Sequence, residues 1–330
     1  MRAALLGRFG DPPAASDVAS PERTGGRAVV RVSAAPINQL DLLIASGNFY
    51  GGAPEPPYVP GVEGVGTVVE GEDLEEGTPV WFSFERFDSR RGSMAELCVI
   101  DEQRTVALDH DLDHALAAAL GLTGVAAWMS LSSTGGLMKG EQVLIMGAAG
   151  AVGQVALQAA RILGAGRVVG ASRSEEGREI ARRLGADAVV DSSGGDIDTI
   201  AARIETACEG PLMLVIDPVW GELAPAALRA LDKGGRLVNF GSSAGVVAPL
   251  DSAVIRSKSL SVLGYTNVAL TFEEISAAVR SLHEHAAEGR IDVHLEQVNL
   301  ADIPTAWRRA GESPHKKLVV KPTRDSRPNR

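Results

Sequence analysis

Short apolar runs broken by glycine and proline dominate the first third of the chain. "RAVVRVSAAPIN" (27–38), "GVGTVVEG" (64–71), "TPVWFSF" (78–84) and "MAELCVI" (94–100) are rich in β-branched residues and bounded by turn formers. Runs of this length and punctuation predict the strands of a compact, barrel-like β domain. Near residue 115 the texture changes to "HALAAALGLTGVAAWMSL", alanine-rich and helical in period. From residue 142 continuous apolar runs alternate with helical segments. The runs are "QVLIMG", "RVVGAS", "AVVD", "LMLVID" and "RLVNFG", and the helices fall near 151–164, 174–184, 196–207 and 221–231. A parallel sheet covered on both faces requires this alternation, so a doubly wound α/β (Rossmann) domain is expected. A final helix ("FEEISAAVRSLHEHAAEG") and two apolar runs ("VHLEQVNL", "KKLVVKP") are too few to fold alone. The expected organisation is a β-rich domain over 1–118, a nucleotide-binding domain over 119–265, and a return to the first domain over 266–330 ending in a frayed tail.

The first strand-to-helix turn of the doubly wound region carries the clearest chemistry. It reads Met146-Gly147-Ala148-Ala149-Gly150-Ala151-Val152-Gly153 and fits G-x-G-x-x-G as Ala148-x-Gly150-x-x-Gly153. Gly150 would let the backbone approach a pyrophosphate, and Gly153 would let the helix pack on the sheet. The amides of Ala151 and Val152, at the helix start, would face the phosphates. A fingerprint between a predicted strand and a predicted helix is far more specific than the glycines alone. The competing reading is a turn that serves helix packing only. An NAD site wants a carboxylate at the end of the second strand. Here that strand ends in Ser172-Arg173, a hydroxyl and a fork suited to a 2′-phosphate, so NADPH is expected. Glu175 and Glu176 read as first-turn residues of the next helix. A solvated surface arginine is the alternative for Arg173.

Composition narrows the partners. At 330 residues two domains are the natural prior, and a formal net charge of −10 argues against nucleic acid and acidic membranes. Cys98 and Cys208 are too few and too far apart for a disulfide scaffold or a four-cysteine zinc lobe. The apolar run at the N-terminus is too short for a signal peptide, and no window is long enough to span a bilayer. A cytoplasmic location is expected. Two histidine clusters draw the eye. His283 and His285, two apart on a helix, point in different directions and read as a solvated helix end. His110 to His114 reads as a turn and helix start.

One loop stands apart. "GNFYGG" (47–52) sets two of the chain's few aromatics, Phe49 and Tyr50, side by side among glycines. Such a pair is either a packed turn or part of a binding surface.

Taken together, these motifs resemble the medium-chain dehydrogenase/reductase superfamily, in its zinc-independent quinone oxidoreductase branch. The resemblance runs nearly end to end, through "VRVSAAPINQLDLLIASGNF", "PYVPGVEGVGTVV", "GSMAELCVI", "LTGVAAW", "VLIMGAAGAVGQVALQAARILGA", "LGADAVVD", "GGRLVNFGSSAG" and "HKKLVVKP". It implies a GroES-like catalytic domain beside the Rossmann domain, with reactants held between them. Zinc-dependent members carry a cysteine and a Gly-His-Glu among their catalytic ligands. Here Gly61-Val62-Glu63 lacks the imidazole and the cysteine position falls near Asn38, so no metal is expected.

The resemblance implies hydride transfer from NADPH to a quinone or α,β-unsaturated carbonyl. The protein then orients the reactants, excludes water and stabilises charge developing on oxygen. Asn38 matches the family's cleft asparagine, the competing reading being a turn residue after Pro36, and Asp41 is the nearby acidic position. Thr123, Gly241 and Ser242 match cofactor-lining positions. Enoyl-thioester reductases of the superfamily carry a tyrosine in a similar "GNY" setting; here Phe49 stands there and Tyr50 follows. Phe49 is accordingly read as an apolar wall of the substrate site and Tyr50 as a proton donor. The alternatives are an enoyl-thioester reductase and an idle, crystallin-like relative. The apolar run Leu260–Tyr265 is placed last in the sheet, and relatives pair that edge, so a homodimer is expected.

Overall fold

Residues 1–84, 92–108 and 111–323 are described by the computed structural model; His110 and most of the expected C-terminal tail lie outside them. By packing, the chain divides into two units, Met1–Leu122 with Val279–Gly289 and Val293–Arg330, and Thr123–Ala278 with Arg290–Asp292.

The first unit contains β1 (Arg2–Leu5), β2 (Ala14–Asp17), β3 (Arg27–Pro36), α1 (Gln39–Ala45), β4 (Glu63–Glu70), β5 (Pro79–Ser83), β6 (Leu97–Asp101), β7 (Thr105–Ala107) and α2 (His114–Leu120). The long strand β3 is its hub. Val30 pairs Val68 of antiparallel β4 on one edge and Cys98 of β6 on the other. Its core gathers Val30, Val32, Phe82, Met94 and Ile100, the apolar positions of the strand runs.

The second unit begins within α3 (Leu122–Met129) and continues through β8 (Gln142–Met146), α4 (Ala151–Ile162), β9 (Arg167–Ser172), α5 (Glu175–Arg183), β10 (Ala188–Asp191), α6 (Ile197–Ala207), β11 (Leu212–Asp217), α7 (Leu223–Ala230), β12 (Arg236–Asn239), α8 (Ser252–Lys258) and β13 (Ser261–Gly264). Its six strands run in the order β10-β9-β8-β11-β12-β13, and every pairing is parallel. All five residues of β8 are buried, as a strand covered on both faces must be. The order reverses between β8 and β11, where a doubly wound sheet opens a crevice at its carboxyl edge.

After α9 (Phe272–Ala287) come β14 (Leu295–Asn299), α10 (Ile303–Gly311) and β15 (Lys317–Lys321). β15 returns to the first unit's sheet, pairing Val319 with Pro36 and Val320 with Ala35 of β3. Divisions were expected after residues 118 and 265; by packing, the units divide after 122 and 278, and the second half of α9 falls in the first unit with α2. His283 shows why: it is 4% exposed, with Nε2 3.0 Å from the Ala117 carbonyl. The solvated helix end expected there is therefore corrected to a buried, hydrogen-bonded imidazole. His114 does open a helix, with Asp113 accepting from the Ala115 and Leu116 amides. Among the described residues no single helix is long and apolar enough to cross a membrane.

The alanine-rich stretch is broken at Gly121, between α2 and α3. A Cβ at that position would lie 2.9 Å from Glu63 Cδ, so glycine lets a buried carboxylate approach the backbone.

Candidate active site

In the second unit, the carboxyl ends of β8, β9, β11 and β12 face the same way because the strands are parallel. Gly147 turns the chain off β8 with φ +62°, and a Cβ there would lie 2.9 Å from Val219 Cγ2. Gly150 is the N-cap of α4, so the first amides of that helix, Ala151 and Val152 among them, have no partner in the preceding turn. A Cβ on Gly153 would lie 2.7 Å from Ala148 Cα. The helix therefore sits closer to the turn than any larger residue allows. The fully buried Gln154 fastens it further, donating from Nε2 to the Ala149 carbonyl at 2.7 Å.

Ser172 ends β9 and is buried, while Arg173 is exposed and its guanidinium makes no hydrogen bond or ion pair with any described residue. The turn that carries them is held from below by Arg178, a residue the sequence reading passed over. Its Nη1 donates to the Ser172 and Arg173 carbonyls, each at 3.3 Å, and pairs with Asp191 at 3.0 Å. Asp191 stands opposite Ser172 in the β9–β10 register. This carboxylate is charge-paired, and the spacing rule for strand ends offered no signal for it.

Asp217 closes β11. One of its oxygens accepts the Val219 and Trp220 amides, both at 2.8 Å, while Oδ2 is buried without a hydrogen-bond partner. Burial raises its pKa above the ordinary carboxylate value, against the two amides that lower it. Asn239 Nδ2 bridges the Asp217 and Gly241 carbonyls at 3.1 and 2.7 Å, which ties the turn after β12 to the turn after β11. Thus Ala148–Gly153, Ser172–Arg173 and Gly241–Ser242 gather along one sheet edge. Thr123 is buried at the start of α3 rather than on a strand end.

In the first unit, Asn38 and Asp41 belong to a buried polar cluster. Asn38 caps α1, and its backbone amide donates to Asp41 Oδ2 at 2.9 Å. Asp41 Oδ1 accepts the Val62 amide at 3.0 Å, so both carboxylate oxygens brace backbone. Burial, opposed by these amides and by the Lys317 charge, raises the Asp41 carboxyl to about 6. Asn38 Nδ2 donates to Glu63 Oε1 at 3.0 Å, and Glu63 Oε2 accepts Trp81 Nε1 at 3.0 Å and the Leu122 amide at 2.7 Å. Burial again dominates and lifts Glu63 to about 7. Lys317 Nζ donates to Asn38 Oδ1 at 2.6 Å. Its burial pulls it down to about 8 despite the charges of Glu63 and Asp41.

Neither Lys317 nor Trp81 was singled out in the sequence. The only signal was a lysine heading an apolar strand. Among the described residues no group of three or more His, Cys, Asp or Glu side chains is placed to hold a metal ion.

The loop aromatics part company. Phe49 is 7% exposed and packs into the core of the first unit. A Cβ on Gly51 would lie 2.5 Å from that ring, which explains the glycine beside it. Tyr50 is 76% exposed and tilts against Phe49, with ring centroids 4.6 Å apart.

Residues 24–110 match the alcohol dehydrogenase GroES-like domain family, and residues 151–284 match the zinc-binding dehydrogenase family. A quinone oxidoreductase of Rattus norvegicus is 29% identical over 282 residues, covering 83% of this chain and 82% of that protein. The quinone oxidoreductase structure from Pseudomonas syringae pv. Tomato is 26% identical with a TM-score of 0.85, over 97% of this chain and 99% of that one. A mycobacterial protein solved in complex with NADPH is 26% identical with a TM-score of 0.86, over 98% and 100% of the two chains.

Proposed function

Because the chain belongs to the medium-chain dehydrogenase/reductase superfamily, in its zinc-independent quinone oxidoreductase branch, we propose that it transfers a hydride from NADPH to a quinone or an α,β-unsaturated carbonyl. The observation that carries this reading is the start of α4, packed on the turn after β8 through Gly153 and Ala148 and capped by Gly150 with no side-chain hydrogen bond to its first amides. A larger residue at 153 would push the helix start away from the turn. Ala148, Gly150, Ala151, Val152 and Gly153 would hold the pyrophosphate, and Ser172 with Arg173 the 2′-phosphate. Gly241, Ser242 and Thr123 would line the remainder.

Bound NADPH supplies the hydride. The chain's own part is to orient the reactants and manage protons and charge. Asn38 is held as a fixed amide dipole, and Asp41 secures the helix it caps. Tyr50, an exposed phenol, is the proposed donor to the α-carbon of an enone after hydride reaches the β-carbon. A quinone needs no such donor, since water protonates its reduced oxygens.

We further propose a homodimer through β13. It pairs only with β12 among the described strands, and Val262 on it is 38% exposed.

The direct test follows NADPH oxidation across quinones, enones and enoyl thioesters. Turnover of quinones or enones is expected. Turnover confined to enoyl thioesters would favour the alternative reductase, and no turnover of any class would refute the reading.

A further inference from the structure

Lysine is almost never fully buried unless its charge is met by groups arranged for it. Lys317 is 6% exposed, at the head of β15. Extending the β15–β3 register from Val319 opposite Pro36 sets it across from Asn38. Three chemistries meet there: an ammonium that only donates, a carboxylate that accepts, and a carboxamide between them with one end of each kind. Asn38 must turn its oxygen to Lys317 and its nitrogen to Glu63, and the bonds at 2.6 and 3.0 Å show that arrangement. Reversing the amide would set donor against donor at Lys317 and acceptor against acceptor at Glu63. Two carboxylates, Asp41 and Glu63, are buried in the same cluster, each bonded to Asn38, and their charges both act on Lys317.

We propose that Lys317 is the fixed cation and positioning residue of the site: its ammonium orients the Asn38 carboxamide and balances Asp41 and Glu63. The proposal rests on the reading of Asn38 as part of the hydride-transfer site. On that reading, turnover depends on a charge delivered by the last strand of the chain, 279 residues away in sequence.

Lys317→Ala removes the stem beyond Cβ and leaves a space the size of n-propylammonium. The experiment compares thermal melting and NADPH-dependent turnover of a benzoquinone in propylammonium chloride, in equal sodium chloride, and with 1-propanol as a neutral molecule of the same size. Lys317→Ala is expected to lose about tenfold or more in kcat, the loss that one charged hydrogen bond represents. Propylammonium alone should raise both its Tm and its kcat, and Lys317→Arg should retain more turnover than Lys317→Met. Wild-type turnover in Lys317→Ala, or equal recovery with 1-propanol, would overturn the proposal.

Should Lys317→Ala fail to fold, Lys317→Met combined with Glu63→Gln removes both charges together. Low turnover in that folded double variant supports the assignment, and wild-type turnover defeats it. A wild-type protein that oxidises no NADPH counts against the proposed function instead. The cation is then read from the effect of propylammonium on the Tm of Lys317→Ala.

Discussion

Replacing Arg173 with alanine is expected to weaken NADPH binding about tenfold and to leave NADH binding unchanged. The guanidinium stands one residue beyond β9, exposed and unengaged by any described residue. A charge-assisted contact to a 2′-phosphate is worth about 1.5–3 kcal/mol, or roughly 10- to 150-fold in Kd. Exposure to solvent screens such a contact and sets the expectation at the lower end, about tenfold. The turn itself should survive the substitution, because Arg178 holds the Ser172 and Arg173 carbonyls independently.

Arg178→Ala should be the more damaging change. It loosens the turn and also frees the Asp191 carboxylate, now paired at 3.0 Å, to repel a phosphate. The assay is a fluorescence titration of each cofactor at low and high salt. The wild-type NADPH affinity should fall with salt more steeply than that of Arg173→Ala. Equal losses for NADPH and NADH, or a wild-type preference for NADH, would refute the assignment of Ser172 and Arg173.

Tyr50→Phe should slow reduction of enones by about 10²–10⁴-fold while sparing quinones, as measured by steady-state rates; unchanged rates on every substrate would remove the tyrosine from the chemistry. Phe49→Ala should destabilise the protein by about 3–5 kcal/mol in denaturant titrations, since it empties a core position, and a raised KM with undiminished stability would return the ring to the substrate site. Glu63, raised from 4.5 to about 7, binds its proton more tightly in the folded chain, so its stabilising contribution is complete below pH 4.5 and is lost as pH rises through about 7. Glu63→Gln should flatten that part of the stability profile, by on the order of 3 kcal/mol, and an unaltered slope between about pH 5 and 8 would contradict the raised value. Val262→Lys should convert a dimer to a monomer in light scattering, whereas a wild-type monomer at micromolar concentration would refute pairing through β13.

Much of the second unit was legible because its signals are local. A strand buried on both faces is a near-continuous apolar run, so "QVLIM" and "LMLVID" announce β8 and β11 without reference to anything distant. The turn before α4 is nearly as local, since Gly147 answers to its own φ of +62° and Gly153 to the close approach of Ala148 within the same turn. Glu175 and Glu176 likewise mark the first turn of α5.

Other features were decided only by folding. Phe49 and Tyr50 are neighbours with the same local pattern, yet one fills the core and the other faces solvent, because burial depends on what packs across the barrel. His283 is buried because α9 lies against α2, a pairing of segments 166 residues apart. The polar cluster is the sharpest case. Asn38, Glu63, Trp81 and Lys317 sit in four separate stretches whose patterns speak only of strands and a helix start. Strand register brings them together, and a buried charge takes its meaning from the partners that register supplies.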